Sequence, residues 1–314
     1  MPVSFSGWLS DFRDALSESP RRAARQALYR SYLGLWYTLT TRVGHGRNVY
    51  ERDWDLLVVL EACRVDALRE LAAEYEFLES DNIERVPSVG CSSHEWLVKT
   101  FTTDYSDSVA ETAHVTANEF AEPAFENGRH GPLVSVPFGW PRRNVVDESA
   151  FTVLEHVTRF VSDEPRDDVP PGYLTECAIA AGRSTDADRI VAHYDRPRHP
   201  GLTELVGDDA PTGVAAGPWH ALESNGVSRD IAWERYLESL RSVLDEVQVL
   251  LENVDARRTV ITADHGAAFG EWGVYGHPDG AAIAPVKDVP WAETTATDTG
   301  WRTPTIELGG PADD

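Results

Sequence analysis

Within the 314-residue chain, the stretch with the clearest chemical potential is Ile261-Thr262-Ala263-Asp264-His265-Gly266. It continues through Phe269-Gly270-Glu271 to Tyr275-Gly276-His277-Pro278. Apolar and β-branched residues lead into Asp-His-Gly, the pattern of a buried strand that ends in a turn. A carboxylate and an imidazole side by side favour a divalent cation of the zinc or manganese type. The alternative is structural, with Asp264 capping the turn and His265 packing. Three other segments bear on the choice. Glu61 follows the apolar run Asp55–Leu60. Cys91, Ser92 and Ser93 lie in a Gly/Ser loop entering a helix near His94, where one serine is expected to be the N-cap. Asp188–Tyr194 runs into Asp195-Arg196-Pro197-Arg198-His199-Pro200. Taken singly, Glu61 reads equally well as a helix cap and His199 as a surface loop residue. Taken together, acids, histidines and a hydroxyl at the carboxyl ends of parallel strands can form a metallohydrolase centre.

Those side chains need a scaffold, and the patterning predicts one. The continuous apolar run before Glu61 is that of a central strand buried on both faces. An amphipathic helix over 64–75 follows and completes a first βα unit. Segments 113–117, 132–137, 188–194 and 258–263 are predicted strands, and 173–182 is a predicted helix. The longest helix is expected over 230–254, with Tyr236, Leu240, Leu244 and Leu251 on its apolar side. Residues 138–172 show no clear pattern. Residues 201–227, rich in Gly, Pro and acids, read as a loop over the site, and the tail after Glu293 is expected to fray. The fold class is therefore α/β: a single domain over 46–314, built on a central, mostly parallel sheet with helices on both faces. A basic helical segment, 1–45, precedes it.

Net charge is -24 and the pI about 4.7, and of the 28 basic residues only Lys99 and Lys287 are lysines. An acidic, lysine-poor surface stays hydrated in concentrated salt, which suggests a halophilic archaeal cytoplasm. It argues against a general nucleic-acid binder, which needs a basic face. Residues 1–45 differ: six arginines against three acids give +3, leaving -27 for the rest. The helix expected over 21–42 carries Leu28, Tyr32, Leu35 and Trp36, and suits either an anionic membrane surface or the protein's own acidic body. No transmembrane or signal segment is evident, so the expectation is cytoplasmic, with association at the inner membrane face left open. Cys63, Cys91 and Cys177 are scattered and form no disulfide framework or zinc knuckle.

Four blocks, LLVVLEACR, VPSVGCSSHEW, VAHYDRPRHP and ITADHGAAFGEWGVYGHPDGAAIAPVKDVP, together resemble the alkaline phosphatase superfamily in its sulfatase-like branch. The resemblance runs from about residue 55 to 293, and the last block is the most specific. It implies a single alkaline-phosphatase-like domain with Glu61, Asp264 and His265 as metal ligands. Most sulfatases have Asp at the first of these; phosphoethanolamine transferases and lipoteichoic-acid synthases have Glu. The sulfatase pattern Cys-x-Pro-Ser-Arg, set against Ser92-Ser93-His94-Glu95-Trp96, puts the nucleophile at Ser92, although the Pro and Arg are missing. Cys91 and Ser93 flank it and are the alternatives. Asp195-x-x-x-His199 with His277 has the spacing of a second metal's ligands. Single-metal relatives have a His-Tyr-x-x-Pro-His-x-Pro run there, which would make His193, Arg198 and His199 substrate contacts. The implied cofactor is one or two divalent ions, zinc, manganese or calcium.

The implied reaction is metal-dependent hydrolysis of a phosphate or sulfate ester through a covalent Ser (or Cys) intermediate. His277 or His199 would stabilise the transferring oxygens or protonate the leaving group, and Arg198 or Arg64 would pair with the non-bridging oxygens. The implied partner is a small anionic ester, or a glycan or lipid carrying phosphate or sulfate. Two other readings stand beside it: a phospho-group transferase acting on a lipid or glycan, and a non-catalytic binding protein that retains the fold.

Overall fold

The computed structural model describes residues 4–142, 144–160, 169–198, 218–224, 226–306 and 308–309. Two helices open the chain, α1 (Phe5–Glu18) and α2 (Pro20–Thr40). Ser19 ends one and starts the other: its extended backbone breaks the helix, and its hydroxyl accepts from the Arg22 N–H. Pro20 then sits at the first helical position, where its missing N–H costs nothing.

The body is a seven-stranded sheet. In chain order the elements are β1 (Leu56–Glu61), α3 (Val65–Leu71), β2 (Glu84–Pro87), α4 (Ser93–Thr100), α5 (Ser106–Ala110) and β3 (Thr112–Thr116). There follow α6 (Ala121–Phe125), β4 (Val153–His156), α7 (Pro171–Ser184), β5 (Arg189–Pro197), α8 (Pro218–Glu223) and α9 (Arg229–Leu251). The last are β6 (Ala256–Ala263), the short pair β7 (Ala268–Phe269) and β8 (Tyr275–Gly276), α10 (Ala284–Lys287) and β9 (Asp288–Ala296). The sheet order is β2-β9-β6-β1-β5-β3-β4. Strands β6, β1, β5, β3 and β4 are mutually parallel, while β9 is antiparallel to β6 and β2 to β9. All six residues of β1 are buried, as its unbroken apolar text requires.

Helices lie on both faces, and β5 shows how. Tyr194 points to the face of α7, where its hydroxyl bonds Thr175, whereas His193 points to the opposite face and meets Trp96 of α4 edge-on. Helix α9 packs on α7 and β5 and puts Tyr236 behind β1, with its hydroxyl donating to the Ala62 carbonyl.

Two expectations fail here. Residues 132–137 form no strand; the stretch is laid against the N-terminal helices, with Ser4 N–H bonded to Val136 O. The tail beyond Glu293 does not fray at once, because β9 runs to Ala296 and pairs along β6. The unassigned 138–172 region contains β4, which is short and half-buried. Of the predicted 201–227 loop, 201–217 and 225 lie outside the described residues, and 218–223 is the helix α8.

Candidate functional site

Strands β1, β5 and β6 end together at one edge of the sheet. A register shift between Leu60 and Glu61 breaks the pairing with β5. Ala62 then takes a left-handed φ of 58°, unusual for a residue with a Cβ and a mark of a constrained turn. The turn is held by what it bonds: Ala62 N–H donates to Asp264 Oδ1 at 3.0 Å. The same oxygen accepts from the His265 N–H at 2.8 Å, so the Asp264 carboxylate ties the ends of β1 and β6 together. Gly266 is required at this turn because a Cβ would come within 2.2 Å of the Pro285 carbonyl oxygen. That close approach lets its N–H bond Val286 O at 2.7 Å.

Among the described residues, Glu61, His265 and His277 bring one ligand atom each within 4.8 Å of one another. The imidazoles of His265 and His277 stack with centroids 4.3 Å apart. His265 Nδ1 sits 2.8 Å from Gly266 O, a contact that needs the proton on Nδ1 and leaves Nε2 as a lone-pair acceptor. Asp264 Oδ2 is 3.3 Å from that Nε2 and 3.7 Å from His193 Nε2. This oxygen is fully buried and accepts no hydrogen bond. A buried carboxylate oxygen without a donor is costly in a protein interior and natural in a cation site. The donor set, two carboxylates and one or two imidazoles, fits a divalent ion of the zinc or manganese type. Glu61, Asp264 and His265 would hold it, with His277 beside them.

The two acids are electrically distinct. Burial, and then the charge of Asp264, push the Glu61 carboxyl well above its usual range. Burial opposes ionisation of Asp264 as well, but His265 and His193 outweigh it and hold this carboxyl well below the ordinary value. The two environments push the pair apart, Glu61 upward and Asp264 downward. Glu61 Oε2 also accepts from the Asn118 amide at 3.1 Å. Arg198 closes the far side: its N–H bonds Glu61 O at 3.0 Å and its Nε lies 3.6 Å from Glu61 Oε1.

The nucleophile loop resolves differently from the expectation. Ser92 is the N-cap of α4, accepting from Glu95 N–H, and its hydroxyl donates to Asp279 Oδ1 at 2.5 Å. Ser93, the first helical residue, turns towards the cluster and places Oγ 3.1 Å from His265 Nε2. Successive helical positions point about 100° apart, so two adjacent serines at a helix start face different partners. Cys91 is not available as a nucleophile. It is fully buried with Ala268 and Val286, and burial followed by the nearby Glu95 charge pushes its thiol up.

The remaining candidates divide. Asp195 is buried on β5, where its carboxylate accepts from Val169 N–H at 3.4 Å, and it does not join the metal grouping. His199 lies outside the described residues; among the described residues the ligand grouping is Glu61, His265 and His277. His193 is fully buried behind Asp264 and stacks on His114, which removes it from substrate contact. Arg64 is consumed by Asp66, Glu271 and the Ala267 carbonyl, so it cannot also pair with an ester.

Sequence reasoning missed Asn118, Asp279 and Lys287. Asn118 lies two residues past β3, a strand end like the others and the one place the pattern could have shown it. Asp279 is held by Ser92 and Tyr37, and Lys287 is buried with its ammonium 3.5 Å from Gly90 O. Neither has a local signal. Helix α2 docks on the protein's own body, one of the two expectations for it, and does so at the candidate site. Trp36 Nε1 donates to Glu95 Oε1 at 2.6 Å, and Tyr29 and Tyr32 donate to the carbonyls of Asp279 and Gly280. The helix thereby becomes a wall of the site.

No family model and no curated protein matches the sequence. Solved structures do. The chain is similar to the soluble domain of lipooligosaccharide phosphoethanolamine transferase A from Neisseria meningitidis, at 17% identity over 77% of this chain and 76% of that one, with a TM-score of 0.45. Against the integral membrane form of that transferase the identity is 17%, the coverage 82% and 49%, and the TM-score 0.48. The chain thus spans about half the length of the membrane protein. A putative sulfatase from Bacteroides thetaiotaomicron matches at 10% identity over 76% and 64%, with a TM-score of 0.41. The structural neighbours are phosphoethanolamine transferases and sulfatases, the groups to which the sequence resemblance pointed.

Proposed function

We propose that the protein is a metal-dependent enzyme acting on phosphate or sulfate esters, with Ser93 as the attacking hydroxyl. The observation that carries this reading is the position of Ser93 Oγ, 3.1 Å from His265 Nε2, at the edge of the Glu61, His265 and His277 grouping that Asp264 borders at 3.3 Å. A divalent cation held by those side chains would lower the pKa of a neighbouring hydroxyl and offset the charge of an anionic ester.

The chain's own residues account for the rest. Asp264 keeps its charge because His265 and His193 face it, and its Oδ1 is fixed by two backbone N–H groups. The first turn of α4 presents Ser93 at a helix N-terminus, which favours negative charge. Arg198, partly exposed, would have to give up its ion pair with Glu119 to meet the non-bridging oxygens of the ester. His277, stacked on His265, is placed to give a proton to the departing oxygen. Ser93 Oγ bonds to phosphorus or sulfur, the bond to the leaving oxygen breaks, and water or an acceptor alcohol then releases the group. Release to water makes the protein a hydrolase, and release to an alcohol on a lipid or glycan makes it a transferase. Hydrolysis is the leading reading and transfer the second, favoured by Glu61 in place of Asp and by the N-terminal helix that walls the site. The chain's acidic, lysine-poor composition supports a salt-rich cytoplasm as its setting.

The test is metal dependence. Protein stripped with a chelator should lose turnover of aryl phosphate or aryl sulfate and regain it with zinc, manganese or calcium. If stripped protein binds none of these ions stoichiometrically and none restores turnover, the enzyme reading fails and the binding-protein reading replaces it.

A further inference from the structure

Helix α2 uses only part of its circumference to wall the site, and the adjoining stripe, turned away from buried Leu33 and Tyr37, is unusual for an acidic body. Leu28, Leu35 and Leu39 are 75%, 51% and 53% exposed. Spacings of seven and four place them on one line along the helix, with Tyr32 beside it. Arg21 and Arg25 continue the same line at one end and Arg42 at the other, all exposed. The loop that sequence patterning mistook for a strand runs alongside. Its Phe138 carbonyl approaches so closely that a Cβ at Gly34 would come within 2.1 Å of it. Trp140 N–H and Arg142 N–H then bond the hydroxyls of Thr38 and Thr41 at 2.8 and 2.9 Å. Held in this way, Phe138 and Trp140 remain exposed, Trp140 by 71%.

We propose that this face, the leucine line of α2 with Phe138 and Trp140 beside it, docks on an anionic lipid surface. Three observations favour lipid over other occupants. The face is a line of protruding side chains flanked by arginines, the composition of an interfacial helix, with a Trp at its margin. It belongs to a net-positive segment of an acidic chain, +3 over residues 1–45 against -27 elsewhere, which complements anionic headgroups. It is also one helix away from the catalytic loops. Tyr29 and Tyr32 of the same helix bond Asp279 O and Gly280 O, and Asp279 holds Ser92. An α-helix is about 10 Å across, so docking would bring the headgroup layer to the mouth of the site. Among the described residues no helix is long and apolar enough to cross a membrane, so the contact proposed is peripheral. Docking does not depend on the reaction proposed above, and its test does not use activity.

The experiment is co-sedimentation of the full chain, at low salt, with vesicles of phosphatidylcholine alone and of phosphatidylcholine mixed with phosphatidylglycerol. Wild type should bind the mixed vesicles about ten- to thirtyfold more tightly than the neutral ones. Leu28→Ser/Leu35→Ser/Leu39→Ser should weaken binding to the mixed vesicles about a hundredfold. Arg21→Gln/Arg25→Gln should remove most of the preference for the anionic lipid. All these positions are exposed, so melting temperature should stay unchanged in both variants. Wild type that sediments with neither vesicle overturns the proposal, as does a triple serine variant that binds like wild type. Equal binding to both vesicles overturns the electrostatic half. A wild type that is dimeric by light scattering, made monomeric by the serine substitutions without lipid binding, assigns the face to a second copy instead.

Discussion

The two serines at the start of α4 separate stability from chemistry, and replacing each by alanine should show it. Ser92→Ala removes the N-cap, a contact to Glu95 N–H at 3.4 Å, and the donor that Asp279 holds at 2.5 Å. Losing a serine cap costs about 1 kcal/mol, and leaving the half-buried Asp279 carboxylate short of a donor costs up to about as much again. The expected loss is up to about 2 kcal/mol, or a few degrees in melting temperature for a chain of this size. Turnover should remain within about tenfold, because the Ser92 hydroxyl faces away from the ligand cluster. Ser93→Ala loses one hydroxyl contact, to His265 Nε2 at 3.1 Å, worth about 1 kcal/mol or less. Its melting temperature should therefore barely move. Its turnover of aryl phosphate or sulfate should fall by about a thousandfold or more, since an alanine cannot form the covalent ester. The assay is steady-state turnover with saturating metal, alongside thermal melts of the same preparations. A Ser93→Ala protein that keeps wild-type turnover would refute the geometric assignment. A dead but stable Ser92→Ala protein would move the nucleophile back to the position that the motif alignment suggested.

Other consequences follow from the buried charges. Glu61 has a folded pKa raised above its ordinary 4.5, so its contribution favours the folded state at low pH and is lost as pH rises through the folded value. Glu61→Gln should therefore stabilise chelator-treated protein at alkaline pH, little at pH 4, and lose the stabilisation that added metal gives wild type; equal melting curves at both pH values would contradict this. Glu95 is the opposite case: burial raises its pKa, but Lys99 outweighs it and lowers the value, so its stabilisation is present above about pH 4.5 and lost on acidification. Glu95→Gln leaves the buried Lys99 ammonium without its counter-charge and should cost about 3–5 kcal/mol by denaturant melt. Cys91→Ala should retain turnover, and thiol reagents should modify the native protein far more slowly than the unfolded chain, because all three cysteines are buried. If the acidic surface is an adaptation to salt, the melting temperature should rise with potassium chloride into the molar range; a protein most stable in dilute buffer would end that reading.

Much of the framework was legible in the residues alone. The apolar run before Glu61 reads as a strand buried on both faces, and the β-branched stretch Thr259–Thr262 before Asp264 is likewise buried in β6. An acid or an Asp-His pair directly after such a run stands at the sheet edge, since the strand's own burial places it there. That reasoning reaches Glu61, Asp264, His265 and His277 without coordinates, and charge counting separates residues 1–45 from the rest. Tertiary structure decided what depends on angle and on distant partners. Ser92 and Ser93 are equivalent in text, and only the phase of α4 turns one towards His265 and the other towards Asp279. Asp195 is buried on β5, and its carboxylate accepts from Val169 N–H, a partner that spacing could not announce. Trp36 reaches Glu95, and Asn118 reaches Glu61, across more than fifty residues, with no local pattern to announce either pairing. Periodicity is a property of neighbours along the chain; the ligand shell is assembled from loops that only the folded sheet brings to one edge.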